Sequence, residues 1–155
     1  MDMSINNPAD KNCFICEKHN GNITVPGGAI YEDDLIYVGH VHWEKEETYL
    51  GYVMIDIKRH VPGLAELTED EAKAFGLITS RVSKALKESE GAEHIYTFVS
   101  RNGVPHMHMH IIPRYPNTTK EFWSPTEVAN WTGAPYGNSN EIKKTMRKNT
   151  KVYGK

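Results

Sequence analysis

Three of the chain's eight histidines occupy alternate positions in the run Val104-Pro105-His106-Met107-His108-Met109-His110-Ile111-Ile112-Pro113-Arg114. On a β-strand alternate residues share a face, so His106, His108 and His110 point one way while Met107, Met109 and Ile111 point the other. Same-face neighbours lie roughly 6.5 to 7 Å apart along the backbone, close enough for three imidazoles to line one cleft. A neutral imidazole near pH 7 serves as nucleophile, general base or metal ligand. Histidine-rich tags and scavenging tails are terminal and of low complexity, whereas this run is mid-chain and strictly interleaved with apolar residues.

A second set of reactive groups is the Cys13-Phe14-Ile15-Cys16 pair, which holds both cysteines of the chain. With no secretory signal before it, such a pair is a metal half-site or a redox couple rather than a structural disulfide. A redox couple of the thioredoxin type belongs at the start of a helix in a βαβ unit; here the pair follows a polar lead-in, which favours metal. His19, His40, His42, His60 and His94 complete the histidine inventory. Of these, His60 ends Lys58-Arg59-His60 at a strand-to-loop junction, where functional residues concentrate.

The elements that must position these groups follow from pattern. Ala29 to Tyr31 and Leu35 to His42 read as two strands joined by the Glu32-Asp33-Asp34 turn, and Leu50 to Ile57 reads as a third. Thr68-Glu69-Asp70-Glu71 is a capping box that opens a helix. Its buried stripe is Phe75, Ile78, Val82, Ala85 and Leu86, and Gly91 stops it. Ile95 to Ser100 is a fourth strand, and a tight turn at Arg101-Asn102-Gly103 returns the chain as an antiparallel fifth strand bearing the histidines. Residues 1 to 12 and 17 to 28 read as frayed lead-in and loop, and Glu44 to Glu47 as a solvated loop. Residues 115 to 140 form an irregular arm whose Trp123 and Trp131 could close over a ligand but are expected rather to pack on the parent domain or on a partner subunit, with a short basic helix over Asn140 to Lys148.

The 155 residues fit one domain, 1–155, with a core at about 13–114 and a C-terminal arm at 115–155. A net charge of -2 provides no basic field for a nucleic acid polymer. No apolar run approaches the roughly 20 residues of a membrane span, and Met1 to Asn6 lacks a signal-peptide core. The expected location is cytoplasmic, without a membrane partner.

All seven positions of the pattern His-φ-His-φ-His-φ-φ, with φ apolar, are matched by His106 through Ile112, and on these residues the chain resembles the histidine-triad (HIT) family. The Tyr31-Glu32-Asp33-Asp34 turn, the Gly51 to His60 strand, the capped helix and the Arg101-Asn102-Gly103 hairpin extend the likeness. It implies an α+β fold with an antiparallel sheet of about five strands and one main helix. It also implies a homodimer and a nucleotide substrate, either a nucleoside phosphoramidate or a dinucleoside polyphosphate cleaved at the α-phosphate.

By the same resemblance His108 is the nucleophile, forming a covalent nucleotidyl-histidine intermediate. His110 stabilises the phosphoryl oxygens, and the carbonyl of His106 orients the ring of His108. Asn102, Gly103 and His110 contact substrate. Galactose-1-phosphate uridylyltransferases and some bacterial HIT proteins hold zinc with a Cys-x-x-Cys pair, an upstream histidine and the first triad histidine. Here these correspond to Cys13, Cys16, His60 and His106, a closed set suited to structural zinc.

The sequence departs from the family pattern at His40, where many members carry a ribose-contacting Asp. It departs again at Ile57, where they carry Pro, and at Gly103-Val104-Pro105, which leaves Asn102 as the nearest donor to a leaving group. These departures keep open a second reading, a zinc-stabilised nucleotide-binding or regulatory protein with little turnover. A third, hydrolysis by a metal held on all three triad histidines, leaves Cys13 and Cys16 unexplained.

Overall fold

A computed structural model describes residues 13–42, 47–100 and 105–153. The chain forms α1 (Phe14–His19), β1 (Ala29–Glu32), β2 (Ile36–His40), β3 (Thr48–Tyr49), β4 (Val53–Ile57), α2 (Glu69–Glu90), β5 (His94–Val99), β6 (His108–Arg114), β7 (Tyr136–Gly137) and α3 (Ser139–Tyr153). Five strands make one sheet in the order β1-β2-β4-β6-β5, with every pairing antiparallel. A separate ribbon pairs β3 with β7. The architecture is α+β, as the pattern of strands and one strongly amphipathic helix implies.

The sheet's two faces do different work. Met107, Met109 and Ile111 enter a core with Val53, Ile55 and Ile57 of the neighbouring strand and with Phe75, Ile78, Val82 and Leu86 of α2. Each fully buried aliphatic side chain of this set contributes about 1.5–3 kcal/mol of transfer free energy. Helix α2 begins at Thr68, whose hydroxyl accepts from the Glu71 amide while the Glu71 carboxylate accepts from the Thr68 amide. It ends at Gly91, which takes the left-handed conformation at φ 73°.

The structure refines several expectations. The Cys-x-x-Cys pair stands on a short helix, with Cys13 as the N-cap of α1. The histidine strand begins at His108, because the Met107 amide turns aside to donate to the Val61 carbonyl. The third strand is shorter than expected, its Leu50 to Tyr52 start being a turn that separates β3 from β4. The C-terminal helix is longer than its basic stretch suggests. It buries Ile142 in the main core and packs against α2, β1 and β2. The arm between β6 and α3 touches the domain at Val128 and Trp123. Val128 packs with Tyr49 and Ile112, and Trp123 lies on the Arg114 guanidinium, 3.8 Å from its carbon. Residues 1–12 and the Arg101-Asn102-Gly103 turn lie outside the described residues.

Candidate metal centre and histidine cleft

Cys13, Cys16, His60 and His106 converge from three parts of the chain. Cys13 and Cys16 are brought together by the first turn of α1, where the Cys16 amide donates to Sγ of Cys13. His60 follows β4 and His106 precedes β6, adjacent strands of the sheet. Nδ1 of His106 lies 3.3 Å from Sγ of Cys13, 3.4 Å from Sγ of Cys16 and 3.2 Å from Nδ1 of His60. Sγ of Cys16 lies 3.2 Å from Nδ1 of His60. Around a tetrahedral zinc, N···N and S···N edges are about 3.4 and 3.6 Å, given bonds of about 2.05 and 2.3 Å. The four donor atoms therefore already stand near the corners of such a tetrahedron.

The surroundings of His106 suit a ligand. Its Nε2–H donates to the Ile57 carbonyl, which leaves the Nδ1 lone pair facing the thiols. Burial pushes its pKa down to about 4, keeping the ring neutral. Two thiols and two imidazoles fit a closed structural zinc site, with no position open for substrate.

On the same face, a cleft of about 360 Å3 is lined by His108, His110, Tyr52, Lys18, Phe14 and Ile15, among others. His108 is buried, and its Nδ1–H donates to the His106 carbonyl at 2.6 Å. A carbonyl can only accept, so Nε2 of His108 carries the lone pair. His110 is held differently. Phe98, its partner on β5, stacks on it at 4.5 Å with a 13° tilt, and the Tyr52 hydroxyl bonds its Nδ1 at 2.7 Å. Burial and the neighbouring His108 lower the His110 pKa to about 4, and burial raises that of Tyr52 to about 12. Both groups are neutral near pH 7. With the Tyr52 hydroxyl donating, Nε2 of His110 carries a proton.

His40 is locked into the backbone. Its Nδ1–H donates to the Val41 carbonyl at 2.6 Å and its Nε2 accepts from the Gly51 amide at 2.8 Å. His19 bonds Asp56 rather than the thiols, at 3.0 Å. His94 stands on β5 against Tyr96. Asn102 and Gly103 lie outside the described residues.

The sequence model of the HIT domain matches residues 23–117, more than half of the chain. The chain belongs to the HIT family. A HIT-family relative in Bacillus subtilis, Protein hit, is 27% identical over 111 residues, covering 68% of this chain and 72% of that one. A 70-residue stretch is 36% identical to the bis(5'-adenosyl)-triphosphatase of Dictyostelium discoideum, covering 41% of this chain and 46% of that enzyme. Among solved HIT structures, a Zn-bound histidine triad family protein from Mycobacterium smegmatis superposes with a TM-score of 0.67 at 16% identity, over 94% of this chain and 95% of that one. A Hit-like protein from Bartonella henselae does so with a TM-score of 0.67 at 17% identity, over 92% and 97%. At these identities the superpositions establish the HIT fold.

Four residues in or behind this HIT cleft escape a reading of the sequence: Tyr52 and Lys18 line it, while Phe98 stacks on His110 and Asp56 pairs with Lys18. Tyr52 and Phe98 reach His110 only through cross-strand register. Asp56 carried a signal, being a lone carboxylate in the apolar run Val53-Met54-Ile55-Asp56-Ile57, since a charged residue in a buried strand requires a partner. It is fully buried, and Lys18 supplies that partner at 2.7 Å. Burial alone would raise the Asp56 carboxyl, but Lys18 and His19 outweigh it and hold the pKa below the ordinary value.

Proposed function

We propose that this HIT protein is a nucleotide hydrolase or nucleotidyl transferase that cleaves a nucleoside phosphoramidate or dinucleoside polyphosphate at the α-phosphate. The observation that carries the reading is the fixed tautomer of His108, whose Nδ1–H is committed to the His106 carbonyl so that a lone pair faces the cleft from Nε2.

That lone pair attacks the α-phosphorus, and the bond from phosphorus breaks to release either an amine, which takes up a proton from solvent, or the remaining nucleoside phosphate. The resulting nucleotidyl-imidazole is then attacked by water or a second acceptor, which gives the nucleotide product and returns His108 to its neutral form. His110 donates from Nε2 to a phosphoryl oxygen where negative charge builds up, with Tyr52 and Phe98 holding its ring. The relative in Dictyostelium, a bis(5'-adenosyl)-triphosphatase, supports a dinucleoside polyphosphate as one substrate class.

Cys13, Cys16, His60 and His106 hold a structural zinc ion in this account. When bound it crosslinks α1 to the sheet and supplies no reacting group. The test is a panel of nucleoside phosphoramidates, dinucleoside polyphosphates and nucleotide sugars, assayed with wild type and His108→Ala. Turnover of at least one class by wild type, lost in the variant, is expected. Equal turnover by both proteins contradicts the reading.

A further inference from the structure

The site described so far leaves one buried ion pair without a role. Lys18 is 8% exposed, a rare degree of burial for lysine, yet it lines the cleft together with His108 and His110. Among the described residues it is the one Lys or Arg side chain that lines the cleft. Its Nζ lies 2.7 Å from Oδ2 of Asp56. Asp56 is the Cα partner of His108 across the β4–β6 ladder. Such partners share a face with Cβ atoms about 4.5–5.5 Å apart, so the pair stands directly beside the triad's central ring.

An ammonium carries three N–H groups. Among the described residues Asp56 is the one hydrogen-bonding partner of the Lys18 ammonium, which also lies over the ring faces of Tyr37 at 4.9 Å and Phe14 at 5.9 Å. Ring faces attract the cation but leave its remaining N–H groups without strong acceptors. Asp56 also keeps a second donor, Nε2 of His19 at 3.0 Å. It therefore stays partnered if the ammonium leans toward a ligand.

A phosphate brought to His108 enters a cleft whose walls include Phe14, Ile15, Val25, Val41 and Met54. His110 is neutral near pH 7, because burial and His108 lower its pKa to about 4. An anion desolvated there requires a cationic partner.

We propose that Lys18, aimed by Asp56, contacts the phosphate presented to His108 and makes the cleft selective for anionic phosphate esters over neutral nucleosides. The proposal rests on the nucleotide-site reading given under Proposed function. It names the group that recognises the ligand's charge, and a charge-assisted contact of this kind changes affinity by about 10- to 100-fold.

The test measures calorimetric binding of the four ribonucleoside monophosphates and their matching nucleosides to wild type, Lys18→Met, Lys18→Met/Asp56→Asn and Lys18→Arg. The double variant removes the carboxylate's charge together with its partner, so its fold retains no uncompensated charge if Lys18→Met alone is unstable. Wild type is expected to prefer the best-binding monophosphate over its nucleoside by at least about tenfold. Both neutral variants should lose that preference while holding the nucleoside within about twofold of wild type, and Lys18→Arg, which keeps the charge, should retain more of it than either.

A preference unchanged in either neutral variant overturns the proposal. A parallel fall in nucleoside and monophosphate affinity also overturns it, by showing that Lys18 only supports the wall. If wild type binds no monophosphate, the nucleotide-site reading fails first and this proposal falls with it, an outcome distinct from the other two.

Discussion

His40 gives the sharpest stability prediction. Burial, opposed only in part by its bond to Val41 and reinforced by His42, lowers its pKa from 6.5 to about 4. Its folded-state pKa lies below the unfolded one, so its contribution is fully present above pH 6.5 and is lost as pH falls toward 4. In that window the unfolded chain binds a proton that the folded chain does not. A shift of about 2.5 units corresponds to about 3 kcal/mol across the whole window, and about 2 kcal/mol of it is lost between pH 7 and pH 5. The perturbation is His40→Gln, which cannot titrate. Urea unfolding of wild type and variant at pH 7 and pH 5 gives the comparison. The variant will be less stable at pH 7, because the bonds to Val41 and Gly51 are disturbed. Its further loss on going to pH 5 should be smaller than that of wild type by about 2 kcal/mol. Equal losses in the two proteins would show that His40 does not titrate in this window and refute the argument.

Three other substitutions probe the site and its frame. Cys13→Ser should abolish stoichiometric zinc by elemental analysis and lower Tm, and wild type purified without chelator that carries no stoichiometric metal contradicts the centre. Tyr52→Phe removes the donor to His110 and should reduce kcat/KM by about tenfold, while its thermal melt stays close to wild type; an unchanged kcat/KM would show that the ring needs no such anchor. Gly51→Ala should destabilise by about 3 kcal/mol or more in urea, because φ is 88° and the new Cβ would collide with the Tyr115 hydroxyl. A loss under about 1 kcal/mol would mean that the turn relaxes freely.

Local rules make much of this legible from sequence. Alternation alone places His108 and His110 on one face and Met109 and Ile111 on the other, since strand geometry has a period of two. The Thr68–Glu71 box and Gly91 mark α2 because both are bonded within a turn. The metal cluster was legible only by analogy, because Cys13 and His106 are 93 residues apart. What escaped was set by register and long-range packing. Asp56 meets His108, and Phe98 meets His110, through strand pairing. Lys18 reaches Asp56 because α1 lies against the sheet. The full length of α3 was hidden because its basic sequence carries few apolar positions, although Ile142 is fully buried.

In the proposed reaction His108 is the nucleophile, whereas His106 belongs to the metal centre. The direct test is the intact mass of protein quenched during turnover of a phosphoramidate or dinucleoside polyphosphate, with the adduct mapped by peptide. One nucleotidyl group on His108 is expected. It should be absent from His108→Ala protein that still melts as wild type and retains its metal, whereas His106→Ala should lose metal and stability together. A wild-type protein that turns over substrate without any adduct on His108, or a His108→Ala variant that turns it over at the wild-type rate, would contradict the proposed reaction.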